Sequence, residues 1–145
     1  MTTQTIQVPG GITLQGQGIS DDPLQGGYSN GSTYIGICAD SVPAIELAGH
    51  AASLRDLAVV DLSPRANTCS AGGSSGGVKI HAESSNGRES ILLSNVLIIY
   101  FTEGTALTLL ATNGGGIAYG NFQNVRIRHA KYGILLEADS TSFVK

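Results

Sequence analysis

The chain has 145 residues, a formal net charge of −3, 13% charged residues, 20 glycines and no tryptophan. One domain is expected at that length, and the lack of a basic stripe to neutralise phosphates argues against a nucleic-acid surface. No apolar run approaches the roughly 20 residues of a membrane span, and the opening residues lack the charged and apolar regions of a signal peptide.

In chain order, Ile6/Val8 and Ile12/Leu14 alternate on either side of a Pro9-Gly10-Gly11 turn, the mark of two short half-buried strands. Gly16-Gln17-Gly18 does not complete a dinucleotide fingerprint, because Asp21 stands where the third glycine would fall. Residues 19–33 form a turn-rich excursion holding Asp21, Asp22 and Pro23. Its Asn30-Gly31-Ser32 fits a glycosylation triplet of a kind common by chance. Tyr34 to Ile37 is a further alternating run.

Two patterns then recur. Leu54 to Val59, Leu93 to Ile98 and Phe122 to Ile127 share one apolar spacing. Ile45/Leu47, Val78/Ile80, Leu107/Leu109 and Ile134/Leu136 share another. Both repeat at roughly 30 residues, with Gly/Ser/Asn-rich connectors and no helical period, as in proteins built from stacked units. No such unit can bury its apolar face alone, so the units must stack. The expected fold is all-β: a single right-handed parallel β-helix spanning 1–145, of about four to five coils. Both ends lack a polar cap, which reads as a piece cut from a longer helix.

Irregular loops are expected near 19–33, 64–77, 82–90 and 111–121. Such per-repeat insertions commonly line a binding face. Cys38 and Cys69 supply neither a disulfide framework nor metal-ligand spacing. We read them as unpaired buried thiols, with a disulfide as the alternative. Arg126, Arg128 and Lys131, the one basic cluster, read as a solvated strand face.

The repeat alignment implies columns of side chains. Leu54/Leu93/Phe122, Leu57/Val96/Val125 and Val59/Ile98/Ile127 form the buried ones. Asp56/Asn95/Asn124 form a polar ladder, since an inward amide is tolerated only when hydrogen-bonded. Ala58/Leu97/Arg126 and Val60/Ile99/Arg128 point outward, so Leu97 and Ile99 need cover from a folded-back loop or a neighbouring subunit.

Two further columns carry chemistry: Ala48/His81/Leu110/Glu137 and His50/Glu83/Thr112/Asp139. Glu83 and Asp139 would stand two strands apart, about 9–10 Å. Their side chains could close to the roughly 6.5–9.5 Å of an inverting glycosidase, with one carboxyl as acid and one as base. The candidate catalytic residues are Glu83 and Asp139 with His81 and Glu137; Tyr119, as an aromatic platform, and His50 are the candidate substrate contacts. No zinc spacing, Ser-His-Asp order or phosphate loop is present, and neither a metal nor another cofactor is implied.

GGITLQGQG at Gly10–Gly18, the Asn-Val-x-Ile units at Asn95 and Asn124, and YGILLE from Tyr132 to Glu137 together resemble the pectin/pectate-lyase-like superfamily. The resemblance covers nearly the whole chain and implies the right-handed parallel β-helix of polysaccharide lyases, hydrolases and phage tailspike-type depolymerases. The calcium-binding aspartates and catalytic arginine of pectate lyases have no counterpart here. Nor do the paired aspartates of polygalacturonases, since Asp21-Asp22 precedes the repeats. The implied function is binding, with or without cleavage, of an extended polysaccharide by an extracellular or virion-associated protein, with a homotrimer as the implied assembly. The alternative is a non-catalytic structural or adhesin segment of a viral or cell-surface appendage.

Overall fold

The structure is a computed structural model that describes residues 2–19, 32–63, 69, 75–84 and 86–145. Asp21, Asp22, Asn30 and Gly31, and most of the loops expected near 19–33 and 64–77, fall outside those residues. The described chain is all-β and contains no helix.

Its strands are β1 (Ile6–Val8), β2 (Thr13–Gln15), β3 (Tyr34–Ile37), β4 (Pro43–Leu47), β5 (Ser53–Asp61), β6 (Gly76–Glu83) and β7 (Arg88–Glu89). They continue with β8 (Leu92–Ile99), β9 (Thr105–Thr112), β10 (Gly116–Ala118), β11 (Asn121–Arg128), β12 (Tyr132–Ala138) and β13 (Phe143–Val144). Every ladder is parallel. One sheet runs β1-β4-β6-β9-β12, a second runs β2-β5-β8-β11 with β3 also on β5, and a short third runs β7-β10-β13. Each strand thus pairs with its equivalent in the next repeat, and the sheets share one apolar interior.

The registers are those that the repeat spacing implies. Leu57 pairs with Val96 and Val96 with Val125; Ile45, Val78, Leu107 and Ile134 follow one another in the first sheet. The reason is periodicity: slipping one strand by a residue would turn its whole apolar set outward. Asp56, Asn95 and Asn124 interrupt their strands at equivalent places with φ of 54°, 55° and 50°. A left-handed residue bends the strand there, and Asn and Asp tolerate that conformation better than other side-chain-bearing residues.

Those three residues also form the expected ladder. The Asn124 amide donates to Asn95 Oδ1 at 2.8 Å, and the Asn95 amide donates to Asp56 Oδ1 at 2.9 Å. Gln15 closes the far end with a 3.1 Å bond to Asp56 Oδ2.

Three expectations need correction. The segments 82–90 and 111–121 are not loops throughout, because β7 and β10 within them build the third sheet. Strands of two or three residues are too short to show a period. The cysteines are not idle: Cys38 and Cys69 form a disulfide with Cα atoms 5.5 Å apart. Pairing of β3 beside β5 places Cys38 at the outer face of the second sheet, and Cys69 packs on that same face.

The disulfide lies over the outward residues that were expected to need cover, and of the two expected covers the folded-back chain is the one present. Leu97 and Ile99 are almost wholly buried in a second apolar cluster with Ala58, Val60, Leu62 and Cys69. The chain itself covers this face, so these two residues offer nothing to a second subunit. The third correction is Phe122, which is not buried with Leu54 and Leu93 but 39% exposed, because among the described residues β11 is the last strand of its sheet.

Candidate functional site

Alternation along the first sheet sends one residue in two away from the core. The outward rows are Glu46/Lys79/Thr108/Leu135 and, one step along, His81/Leu110/Glu137, followed by Glu83/Thr112. Adjacent strands bring these rows together into a face across β4, β6, β9 and β12 that is polar except at Leu110 and Leu135. Parallel pairing holds the rows about 4.8 Å apart along the stack.

On that face His81 Nε2 lies 3.0 Å from Thr112 Oγ1. Burial, and next the positive Lys79, lower the His81 pKa below its ordinary value, so the ring is neutral near pH 7. Gln7 donates to Glu46 Oε2 at 2.9 Å at the start of the first row. Glu83 is exposed and accepts a long 3.4 Å bond from the Asn113 amide.

Asp139 sits beside them but in a different state. The Ser142 hydroxyl, the Asn113 backbone N–H and the Thr141 hydroxyl all bond to its carboxylate and hold its pKa well below the usual carboxylate range. A carboxylate so bonded is kept ionised, and it pins the 139–142 turn to the turn after β9. It cannot serve as the protonated partner of an acid–base pair near neutral pH. Asn113, bonded to both Glu83 and Asp139, lies between the two carboxylates expected to work together.

Glu137 occupies the same face, exposed and paired in register with Leu110. His50 and Tyr119 fall elsewhere. His50 is in the turn between β4 and β5, where its carbonyl accepts from Gly11 N–H at 2.8 Å. Tyr119, 78% exposed, lines a recess of about 380 Å³ with Glu89, Phe143 and Lys145, beside the third sheet.

A second hollow, about 330 Å³, opens at the leading end of the polar face, lined by Val42, Pro43, Lys79, Glu103, Thr108 and Tyr132 among others. Tyr132 is 55% exposed, and Lys131 Nζ stands 5.9 Å from its ring centroid and 3.8 Å from Glu103. An accessible aromatic ring among a lysine, a carboxylate and two threonines can stack on a pyranose face and hydrogen-bond its hydroxyls. The sequence reading missed Lys79, Thr108 and Tyr132 as contacts. The register that gives the His81 row also gives Lys79 and Thr108, whereas the placement of Tyr132 depends on how Glu103 and Gly104 turn into β9.

Among the described residues, no three His, Cys, Asp or Glu side chains gather closely enough to hold a metal ion. No protein-family model matches the chain, and neither the curated proteins nor the solved structures yield a match.

Proposed function

We propose that the chain is a right-handed parallel β-helix domain of the pectin/pectate-lyase-like kind that binds an extended polysaccharide along the outer face of its first sheet. The observation that carries this reading is the outward face of Glu46, Lys79, Thr108, His81, Glu83, Thr112 and Glu137, broken only by Leu110 and Leu135, which leads into a hollow lined by Tyr132 and Lys79. A repeating ligand meets repeating contacts there. The parallel three-sheet stack supports the β-helix reading, and the Cys38–Cys69 bond suits an extracellular or virion-surface setting, because disulfides persist in oxidising surroundings.

Asp139, kept ionised by its three hydrogen bonds, does not supply the acid of a carboxylate pair near neutral pH. Any hydrolysis on this face takes its acid from Glu83 or Glu137, with neutral His81 beside them. The non-catalytic appendage segment is the second reading and needs only the binding half. A homotrimer of the tailspike type would use surfaces other than Leu97 and Ile99.

The test is a glycan array followed by a reducing-end assay on wild type, Glu83→Gln, and the pair Lys79→Ala with Tyr132→Ala. The reading expects an acidic or neutral polysaccharide to bind wild type and to be lost in the Lys79/Tyr132 variant. Binding that survives that double change, at unaltered thermal stability, sinks it. Reducing ends released by wild type but not by Glu83→Gln would add cleavage.

A further inference from the structure

The outward face of the first sheet carries more negative charge than positive. Glu46 on β4, Glu83 on β6 and Glu137 on β12 stand on it, and Asp139 follows at its far end. Gln7 and Asn113, which donate to Glu46 and Glu83, are neutral amides, so those bonds leave both carboxylates charged. None of the four is ion-paired with a described residue; the ion pair at the hollow joins Lys131 to Glu103. Lys79, in register beside Glu46, offsets one of the four charges. Arg88 on β7 is half-buried and donates to the Gly87 carbonyl. The cations Arg55, Arg126 and Arg128 stand on the second sheet, in β5 and β11. Between the carboxylates the face offers uncharged partners: the hydroxyls of Thr108 and Thr112 and the neutral ring of His81.

Taking this face as the polysaccharide site proposed above, we infer that its ligand is a polysaccharide free of acidic groups and that polyuronates are excluded. Sugar hydroxyls are donors, and a carboxylate is the strongest acceptor that a side chain can offer them. Glu46, Glu83 and Glu137 therefore suit a chain of hydroxyl-bearing rings, with Thr108, Thr112 and His81 free to donate or accept as each ring requires. A uronate in the same place sets its own carboxylate among these, with Lys79 as the cation of the rows to meet it. The repulsion recurs at each ring of a polyuronate, whereas Lys79 occurs once. Exposed charges act over about 10 Å at 0.1 M salt, further than the roughly 4.8 Å between neighbouring strands, so every bound ring feels more than one carboxylate.

The test measures affinity of the full chain for soluble glucans, galactans and mannans, each beside a counterpart whose C6 hydroxymethyl groups are oxidised to carboxylates. A neutral polymer is expected to bind, and its oxidised counterpart to bind at least about tenfold more weakly at low salt. The gap should close between about 0.01 M and about 1 M salt as the charges are screened, while the affinity for the neutral polymer stays nearly constant. Glu83→Gln with Glu137→Gln should narrow the gap at unchanged melting temperature, since both side chains are exposed. Glu89→Gln, beside the third sheet and off this face, should leave the gap as it was. An oxidised polymer bound as tightly as its neutral counterpart would overturn the inference, as would a gap that ignores both salt and the double variant. Binding of polyuronates alone would overturn it yet leave the polysaccharide site standing. Failure of both series to bind would sink the polysaccharide reading and this inference with it.

Discussion

Asn95 is where backbone geometry and side-chain bonding coincide. Its φ of 55° bends β8, while its side chain receives Asn124 and donates to Asp56. Asn95→Leu removes both bonds and leaves polar partners unmatched, a cost of about 1–3 kcal/mol, with further strain from a bulky residue at positive φ. Asn95→Gly relieves the backbone but not the bonds, so in urea titrations it should fall between wild type and Asn95→Leu. Asn86→Leu, exposed near the end of β6, should leave the midpoint unchanged. Asp139 acts through charge. Its folded pKa lies below its unfolded one, so its stabilisation is complete above the ordinary carboxylate value and is lost as pH falls through the lower folded value. Asp139→Asn should therefore melt below wild type at pH 7, and the gap should shrink on acidification towards pH 3. A gap that is constant with pH would assign Asp139 a purely steric role.

At the scale of elements, β5 and β8 are apolar on both faces along their second halves, since the chain folds back over them. The buried carboxylate of Asp61 ends β5 by accepting from Ser63 N–H and from the hydroxyls of Ser63 and Ser75, tying that strand to the start of β6. The Cys38–Cys69 bond, with a separation of 31 residues, then restrains the cover over Leu97 and Ile99. Closing a loop of that length is worth about 3–4 kcal/mol in the chain-entropy account. The Cys38→Ser/Cys69→Ser variant should unfold several degrees lower and bind more of an apolar dye, through exposure of the second cluster. An unaltered melting temperature and dye signal would mean that the cover holds without its clamp.

For the whole molecule, the interior is one stack, and among the described residues β11 and β12 are the last strands of its two long sheets. A charge in its middle and a charge at its end should therefore have unequal consequences. Val96 is wholly buried between Leu57 and Val125, and Val96→Asp should abolish folding, read as loss of the β signal in circular dichroism. Ile127 lies on the terminal strand and is half-buried, so Ile127→Asp should destabilise the protein yet leave it folded. Equal collapse of both variants would mean that the exposed end is normally covered.

Periodicity alone determined much of this. Two apolar patterns, each recurring at roughly 30 residues, were enough to specify parallel pairing, the registers of the two long sheets, the Asp56–Asn95–Asn124 ladder and the row holding His81 and Glu137, because strand alternation admits one register that keeps apolar residues inside. Tertiary structure decided the rest. β7, β10 and β13 are too brief to show a period, so the third sheet arises only once their neighbours align. Cys38 and Cys69 meet because β3 lies beside β5, a pairing outside the repeat. Leu97 lies under the folded-back chain, which the repeat pattern could not tell from a neighbouring subunit, and Phe122, expected inside, lies exposed on the last described strand of its sheet. Asp139 likewise occupies the expected column, but its bonds to Ser142, Asn113 and Thr141 depend on how two turns close on each other, which no column of a repeat encodes.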